Sequence, residues 1–490
     1  MRLSLQIPFR PSEAHVSVPP LWAWGQCALL AGLAFGLLLT ALIAWKLSAF
    51  VWALPIALAG VAVIIWLFQR PVLNVFVALA TFVVISGYSE GLQVYEAIYG
   101  LYFIAALAYW FARKAASRTY RFLQTPEDTA LMCFLLFAVV SVSWGLLYGA
   151  ELKDIMGEAL VLIMFVFYFP IKEACARSRR ATGIVLAIVV WFAIFASIRN
   201  VLEYLAALQS ATQLHHIMLG RVPLNEVILM MSALGFVVLL LYARRWWNII
   251  FLACCFSGAF LGLILTQSRG YWAAFLFGIM VLFILIDRRR KVRALVFLSS
   301  GIGIAAVLAV VFLGDSLAII SVAILDRFTS LGTAITQDLS LVNRFYETAV
   351  VSDYIRDNPI IGYGMGASYH YFHIIVDATR DWTFIHNGYA GLWFKYGLVG
   401  VVLMFVFWGR SIYNGIRLFR MESAPVLLRL TGLCAAISLL AQTVVANTAN
   451  PFLLSDCALM IGLWAALASG GLAYMRDRGT QAASDTGRIL

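Results

Sequence analysis

Residues 341–366 read LVNRFYETAVVSDYIRDNPIIGYGMG and form the centre of Leu313–Gly400, the one long polar stretch of an apolar chain. Apolar residues at Leu341, Val342 and Phe345 recur at helical spacing, which predicts an amphipathic helix over Leu341–Asp357. Asn358-Pro359 should end that helix, because proline has no N–H and disfavours helix in the residue before it. The three glycines that follow allow left-handed backbone angles and close approach of a ligand or another chain segment.

The rest of the chain has the composition of a membrane protein. Of its 490 residues, 63% are hydrophobic and 12% charged, whereas soluble domains carry about 25% charged residues. The net charge of +11 is typical of basic cytoplasmic loops, so we predict membrane lipids, and no nucleic acid, as partners. The seven cysteines lie mostly inside apolar runs without metal-ligand spacing, which indicates packing residues.

Apolar runs of about 20 residues, each long enough to cross a bilayer, predict an all-α polytopic membrane protein with 12–14 transmembrane helices. The first run has no convincing cleavage site and is interpreted as a helix, not a signal peptide. The fourteen candidate spans lie near 21–43, 48–68, 71–87, 95–112, 128–148, 154–170, 181–203, 224–242, 246–266, 270–286, 293–313, 388–409, 427–447 and 453–475.

The distribution of basic residues predicts the orientation of the chain. Most of the 35 Lys and Arg residues fall on one side of the predicted spans, which places both termini and the basic loops in the cytoplasm. The predicted parts are transmembrane helices 1–11 over 1–313, a large periplasmic loop over 314–387, C-terminal transmembrane helices over 388–475 and a cytoplasmic tail over 476–490. The Thr266–Gly270 turn and residues 204–223 share the outer side with the large loop.

Three arginines on the outer side are candidate ligands for phosphate. Arg269 lies in the turn Thr266-Gln267-Ser268-Arg269-Gly270, and Arg221 precedes a span. An arginine at this depth is costly unless it is paired, so a clamp on phosphate oxygens is favoured over contact with lipid headgroups. Arg344 is the third candidate, with a salt bridge to Glu347 three residues later as the alternative.

His386 is the candidate acid or base, because histidine titrates near neutral pH and this one lies beside a span. Glu347 is a second candidate catalytic group, and the neighbouring Asn387 is a candidate substrate contact. Tyr363 belongs to a set of outer aromatic residues that could stack on sugars, although such residues are more often membrane anchors.

No metal or other cofactor is predicted. His370 and His373 are three residues apart, but no third ligand has suitable spacing. The sequence also has no phosphate-binding P-loop and no nucleotide-binding signature, which favours a donor carried in the lipid phase over a cytosolic nucleotide sugar.

Together these motifs resemble the O-antigen ligase/polymerase superfamily of bacterial inner membranes. The matching elements are Thr266–Gly270 opening a span, Arg344, Asn358-Pro359-Ile360-Ile361-Gly362-Tyr363-Gly364, and His386-Asn387-Gly388-Tyr389 followed by Tyr396–Gly400. The resemblance implies a metal-independent, inverting glycosyltransferase that moves a glycan from undecaprenyl diphosphate to an acceptor sugar on the periplasmic face. It implies that Arg269 and, more loosely, Arg221 bind the diphosphate and that His386 acts at the acceptor.

The acceptor leaves two functions open within the superfamily. A polymerase transfers the chain to another lipid-linked repeat unit, and a ligase transfers it to lipid A-core. We favour a polymerase of O-antigen or exopolysaccharide, because fourteen spans fit that branch better than twelve. A polysaccharide or lipid transporter or flippase is a more distant alternative, whose signature would be charged residues in mid-span. A purely structural membrane subunit would not need the clustered arginines.

Overall fold

The computed structural model describes residues 53–85, 94–117, 123–210, 224–314, 325, 339–374 and 377–486. The first candidate span, near 21–43, and Arg221 lie outside these residues. The chain divides into two compact units, Met1–Asn74 and Val75–Leu490. The described part of the first unit contains one helix and the start of the next, and the second unit contains all later elements.

The described residues form helices and one pair of strands. The helices are α1 (Ala53–Phe68), α2 (Pro71–Ile85), α3 (Val94–Ala116), α4 (Pro126–Leu147), α5 (Leu152–Val166), α6 (Tyr168–Arg177), α7 (Arg179–Ser210), α8 (Glu226–Tyr242), α9 (Trp246–Leu265), α10 (Arg269–Leu285), α11 (Arg288–Leu313), α12 (Leu339–Asp357), α13 (Gly388–Arg420), α14 (Val426–Val445) and α15 (Ser455–Thr486). The strands are β1 (Tyr369–His373) and β2 (Ala378–Trp382).

The helices confirm an all-α polytopic membrane protein. In the part of the chain that the structure describes, eight helices are long and apolar enough to cross a membrane, with α5 and α6 counted as one, and four shorter apolar helices accompany them. Apart from the one near 21–43, every candidate span overlaps an observed helix. The helix predicted in the large outer loop is present as α12.

Three helices form the interior of the bundle. Nearly all residues of α8 are buried, and the apolar windows of α14 and α15 are 78% and 89% buried. By contrast, only 17% of the window in α11 is buried, as expected for a helix whose side chains face lipid. Because α14 packs against α8, α10 and α13, the turn that follows α14 is held firmly at one end of the bundle.

Buried charges inside the bundle are paired. Lys172 Nζ lies 2.5 and 2.7 Å from the two carboxylate oxygens of Asp128, whose Oδ1 also accepts a hydrogen bond from Tyr168. Lys395 in α13 lies 2.5 Å from Glu158 Oε1 and donates to the carbonyl of Ala367. Such pairing offsets the desolvation of both charges, and loss of one partner is strongly destabilising.

The glycine-spaced turn after α12 is fastened to a kink in α13. Gly397 has a φ of 59° and interrupts the helix, which frees the backbone around it for other partners. Tyr363 and Gly364 donate to the carbonyls of Phe394 and Lys395, both at 2.8 Å, and Leu398 donates to the carbonyl of Pro359 at 2.9 Å. The two glycine-rich motifs of the sequence are therefore two halves of one backbone junction.

The same turn is also fastened to α4 and α5. Met365 N–H donates to Ser141 Oγ at 3.2 Å, and Gly366 N–H donates to Glu158 Oε2 at 2.9 Å. A Cβ atom at Gly364 would collide with the carbonyl oxygen of Ser141. The glycines thus allow close approach of other chain segments, one of the two possibilities that the sequence leaves open.

The antiparallel pair β1–β2 was not predicted from the sequence. Its register pairs Tyr369 with Trp382 and His373 with Ala378. β1 alternates buried and exposed side chains, so its buried face carries Tyr369, Tyr371 and His373. This period of two follows from strand geometry, but hydropathy does not reveal it, because the exposed face carries Phe372 and the buried face carries His373.

Gly397→Ala is expected to destabilise the junction between the turn and the kink. Alanine is strained at positive φ, by about 1–3 kcal/mol, and its methyl group would collide with the carbonyl of Ile360. Thermal unfolding of the purified protein should begin at lower temperature, and limited proteolysis should cut the 358–366 turn faster. Gly409→Ala is the matched control on the same helix, because no atom lies within 4 Å of its added Cβ; it should unfold no earlier than the wild type.

Candidate active site

The face of α12 that turns towards the protein is polar. Its buried residues are Asn343, Glu347 and Val351, which follow one another at four-residue intervals and so lie on one line of the helix. Phe345 is 56% exposed on another face. The helix therefore presents hydrogen-bonding groups to the strands and leaves apolar side chains exposed.

Glu347 is the most constrained of these groups. It is 1% exposed, and its carboxylate accepts from the Tyr369 hydroxyl at 2.6 Å and from the backbone N–H of His386 at 3.0 Å. A buried carboxylate is costly unless donors surround it. Burial and this carboxylate together hold the pKa of the Tyr369 phenol well above its usual range, so the tyrosine stays a donor.

His386 completes the set of donors around Glu347. Its Nδ1 lies 3.0 Å from Glu347 Oε2 and 3.2 Å from Oε1, and the ring of Phe384 meets the imidazole edge-on with ring centroids 5.2 Å apart. A carboxylate at Nδ1 favours the tautomer with its proton on that atom, which leaves Nε2 as an acceptor. The side chain is 32% exposed, so the imidazole is partly accessible from outside the protein.

Asn343 fixes the hairpin beside this pair. Its Oδ1 accepts from the backbone N–H of Ile374 at 2.9 Å, and its amide nitrogen lies 3.4 Å from both Tyr371 Oη and His373 Nε2. The His373 ring stacks on Trp382 with centroids 4.7 Å apart. Burial lowers the pKa of His373, and the nearby His386 acts in the same direction, which keeps His373 neutral.

His370 and His373 lie on opposite faces of β1, because side chains alternate along a strand. His370 is exposed and places Nδ1 2.8 Å from Asp381 Oδ1 across the hairpin. The two histidines therefore do not converge on a common site.

The turn between α14 and α15, residues 446–454, joins the parts of the site and was missed in the sequence. The N–H of Gly388 donates to the carbonyl of Ala446 at 2.8 Å. The side chain of Asn450 donates to the carbonyl of Ile385 at 2.9 Å. The run Asn447-Thr448-Ala449-Asn450-Pro451 is a polar break between two apolar spans, and this could have marked it.

Thr448 in this turn contacts one candidate arginine and the residue that follows another. The Arg344 guanidinium donates to the Thr448 carbonyl at 2.7 Å. Arg269 is half-buried at the first position of α10, and the next residue, Gly270, packs so closely that a Cβ there would collide with Thr448 Oγ1. Ser268, just before it, donates to the Glu226 carboxylate at the start of α8. The structure therefore brings Arg269 and Arg344 to one turn.

Asn387 and Tyr363 have structural contacts in the site. The Asn387 side chain accepts from the N–H groups of Tyr389 and Ala390, both at 3.1 Å, and so caps α13. Tyr363 stacks on Phe394 with centroids 5.1 Å apart and also contacts Tyr148. Asn387 therefore holds the histidine that precedes it in position, while Tyr363 lies with the kink of α13.

A cavity of about 190 Å³ adjoins the histidine. Its lining includes Thr383 and Phe384 from the segment before α13, Leu453 from the 446–454 turn, and Asp154 and Glu158 from α5. Because Phe384 also contacts the His386 ring, the cavity lies one side chain away from the imidazole. Its carboxylates and hydroxyl are suitable partners for sugar hydroxyl groups.

Comparison with known proteins agrees with this arrangement. No curated protein matches the chain significantly. A family model described as "O-Antigen ligase" matches residues 254–405, a segment that contains Arg269, Arg344, Glu347 and His386. The match confirms the resemblance found in the sequence and supports a membrane glycosyltransferase of this type. Over residues 254–405, which are less than half of the chain, the protein matches the O-antigen ligase/polymerase superfamily.

Proposed function

We propose that the protein is an integral-membrane glycosyltransferase that transfers a glycan from undecaprenyl diphosphate to an acceptor sugar. The observation that carries the proposal is the meeting of a histidine–carboxylate pair and two arginines around the 446–454 turn. A base for a hydroxyl group and cations for a diphosphate are the two parts that this reaction needs. The site lies on the periplasmic side of the bacterial inner membrane, and both termini are cytoplasmic.

His386 acts as the general base in this proposal. Its Nε2 accepts the proton of the acceptor hydroxyl while the oxygen attacks the anomeric carbon of the donor sugar. The new glycosidic bond forms as the bond from that carbon to the diphosphate oxygen breaks, and the electron pair leaves with the diphosphate. Attack from the side opposite the leaving group inverts the anomeric carbon, and no metal or other cofactor is required for proton transfer.

Glu347 is a positioning residue in the same mechanism. Its carboxylate contacts Nδ1 and the backbone N–H of His386, which fixes both the tautomer and the orientation of the ring. It also stabilises the imidazolium that forms when Nε2 takes the proton. The Tyr369 hydroxyl, at 2.6 Å, holds the carboxylate in place from the other side.

Arg269 and Arg344 bind the diphosphate in this proposal. A guanidinium can donate two parallel hydrogen bonds to phosphate oxygens, and the charge of two arginines offsets the charge that builds on the leaving group. Arg344 contacts the carbonyl of Thr448, and Gly270, the residue after Arg269, packs against the same threonine. Arg221 is proposed as a further cation of the donor site, and Asn387 and Tyr363 as contacts of the sugars.

The acceptor distinguishes two forms of the reaction. We propose a polymerase that extends O-antigen or exopolysaccharide repeat units, because the fourteen predicted candidate spans fit that branch better than twelve. The description of the matching family favours a ligase that uses lipid A-core. A transporter or flippase has less support, since the buried Lys395 is paired with Glu158 and anchors the glycine-spaced turn, where it has a structural role.

His386→Ala is expected to have the same phenotype as a strain in which the gene for this protein is deleted. Loss of the base should slow transfer about 10²–10⁴-fold, while the protein is still produced and still binds the lipid-linked donor. The glycan product that the variant strain fails to make shows which acceptor the enzyme uses. A single repeat unit on lipid A-core, or loss of exopolysaccharide, indicates a polymerase, and bare lipid A-core with polymeric lipid-linked glycan indicates a ligase. His370→Ala, at an exposed histidine of the same loop, is the control. Normal product from His386→Ala would refute the assigned base.

Glu347→Gln is expected to lower the turnover number more than it raises the KM for donor. The amide can still contact the ring but no longer stabilises an imidazolium, so we expect a loss of about tenfold to a hundredfold in turnover. Turnover and KM are measured separately with a synthetic lipid diphosphate donor. Glu347→Asp should recover part of the rate because it keeps the charge. Asp353→Asn, an exposed carboxylate on the same helix, should have no effect; equal losses in both variants would contradict the positioning role.

Arg269→Lys and Arg344→Lys are expected to weaken donor use although both keep the positive charge. Lysine cannot form the two parallel hydrogen bonds of a guanidinium, so kcat/KM for the donor should fall by at least about tenfold for each. The measurement is initial rate against donor concentration in proteoliposomes. Arg356→Lys, which replaces an exposed arginine of α12 paired with Asp353, should leave kcat/KM unchanged. If the Arg269 and Arg344 variants matched it, the arginines would not be the diphosphate clamp.

A further inference from the structure

A basic cavity lies at the opposite end of the bundle from His386. α8 begins at Glu226, which contacts Ser268 at the candidate site, and ends at Tyr242. Residues 242–248 are therefore about 25 Å further along the helix axis, given a rise of 1.5 Å per residue. There Tyr242, Arg244 and Arg245 are among the residues that line a cavity of about 500 Å³, together with Arg290 and Arg429.

Four arginines from three separate elements line this cavity. Arg244 and Arg245 lie between α8 and α9, Arg290 is in the first turn of α11, and Arg429 is in the first turn of α14. Among the described residues, the lining contains no acidic side chain. The nearest carboxylate contact is that of Asp287, 3.6 Å from Arg290 Nε, so the cavity keeps a strong net positive charge.

Two of the arginines are held in place by the bundle. Arg290 donates to the Tyr242 hydroxyl at 2.7 Å, and its guanidinium lies over the tyrosine ring, 4.3 Å from the centroid. Arg429 donates through Nε to the Phe419 carbonyl at 3.1 Å. Each guanidinium has five N–H donors, and these contacts fix its plane at the cavity wall. The basic residues are thus arranged around a space, in contrast to the solvated chains of an ordinary basic loop.

The surroundings of the cavity place it at the level of lipid headgroups. Trp246 and Trp247, next in sequence to Arg245, are stacked on each other and are 56% and 66% exposed. Exposed tryptophans at the end of a spanning helix are typical of the membrane interface. The lining also includes apolar Phe419, Val426 and Leu430, so the cavity is cationic on one side and apolar on another.

We propose that this cavity binds the phosphate headgroup of an anionic phospholipid in the leaflet opposite the active site. The arginines contact phosphate oxygens through paired N–H donors, and the apolar lining contacts the start of the acyl chains. A general excess of basic residues on this side of the membrane does not explain the site. Such an excess would not bring arginines from three elements together or fix the planes of their guanidinium groups. The proposal is independent of the glycosyltransferase reaction, since the two sites lie at opposite ends of α8.

The test measures lipid retention and protection by the full-length protein. The purified, delipidated protein in a neutral detergent is titrated with phosphatidylglycerol, and bound lipid is counted by native mass spectrometry while thermal unfolding is followed in parallel. We expect saturable binding that raises the unfolding temperature. The double variant Arg290→Gln/Arg429→Gln should bind roughly 30-fold more weakly, because each basic residue near an anionic headgroup contributes about fivefold.

The matched control removes two other arginines of the same side. Arg113 and Arg417 lie in the last turns of α3 and α13 and do not line the cavity, so Arg113→Gln/Arg417→Gln should bind lipid like the wild type. An equal loss in this control would show that only overall charge matters and would overturn the site. Displacement of the lipid by submillimolar inorganic phosphate would assign the cavity to a soluble phosphate compound and would also overturn the proposal. Unfolding of each lipid-free variant reports whether it is folded.

Discussion

A single buried carboxylate, that of Glu347, ties together the elements that form the candidate site. Its three hydrogen bonds reach the phenol of Tyr369 on β1 and both the ring and the backbone of His386 just before α13. An unpaired charge at this position would be costly in free energy. Helix, strand and histidine therefore all satisfy the same group, and the position of His386 follows from folding.

The arginine side of the site depends on the interior of the bundle. α14 and α15 are the most buried of the long spans, so the 446–454 turn between them has little freedom to move. Through Thr448 this turn contacts Arg344 and Gly270, and through Ala446 and Asn450 it contacts the backbone on both sides of His386. A rigid turn of small and polar residues thus links groups that are far apart in sequence.

The sequence predicted well what depends on local pattern. The length of the apolar runs predicted the spans, helical spacing of apolar residues predicted α12, and Asn358-Pro359 predicted where α12 ends. Each of these features depends on the properties of neighbouring residues. Arg269, Arg344 and His386 were selected as chemical types at the ends of spans and in the outer loop, and the topology prediction placed them on one side. The contact of Glu347 with His386, which lies 39 residues later, could not be predicted in this way, because no local sequence pattern indicates it.

Other features were missed because they arise only from tertiary packing. The hairpin β1–β2 forms where α12 supplies Asn343 and Glu347 to its buried face. The importance of Thr448 is visible only when Arg344 and Gly270 meet it. The second glycine motif, Tyr396–Gly400, was noted in the sequence only as part of the family pattern. The structure explains it, because the kink at Gly397 forms hydrogen bonds with the 358–366 turn.

The glycine-spaced turn is held in place by contacts with several other segments. Glycines are often read as hinges, but at Gly362 an added Cβ would lie 2.6 Å from the Phe394 carbonyl oxygen, and Gly364 and Gly366 approach α4 and α5 as closely. These residues are glycines because other segments occupy the space of a side chain. The buried Lys395–Glu158 pair fastens the same turn. A large movement of this turn would expose the charges of Lys395 and Glu158 and would also break its hydrogen bonds with the kink in α13. Both losses oppose movement of the 358–366 turn, which therefore serves as a fixed base of the candidate site.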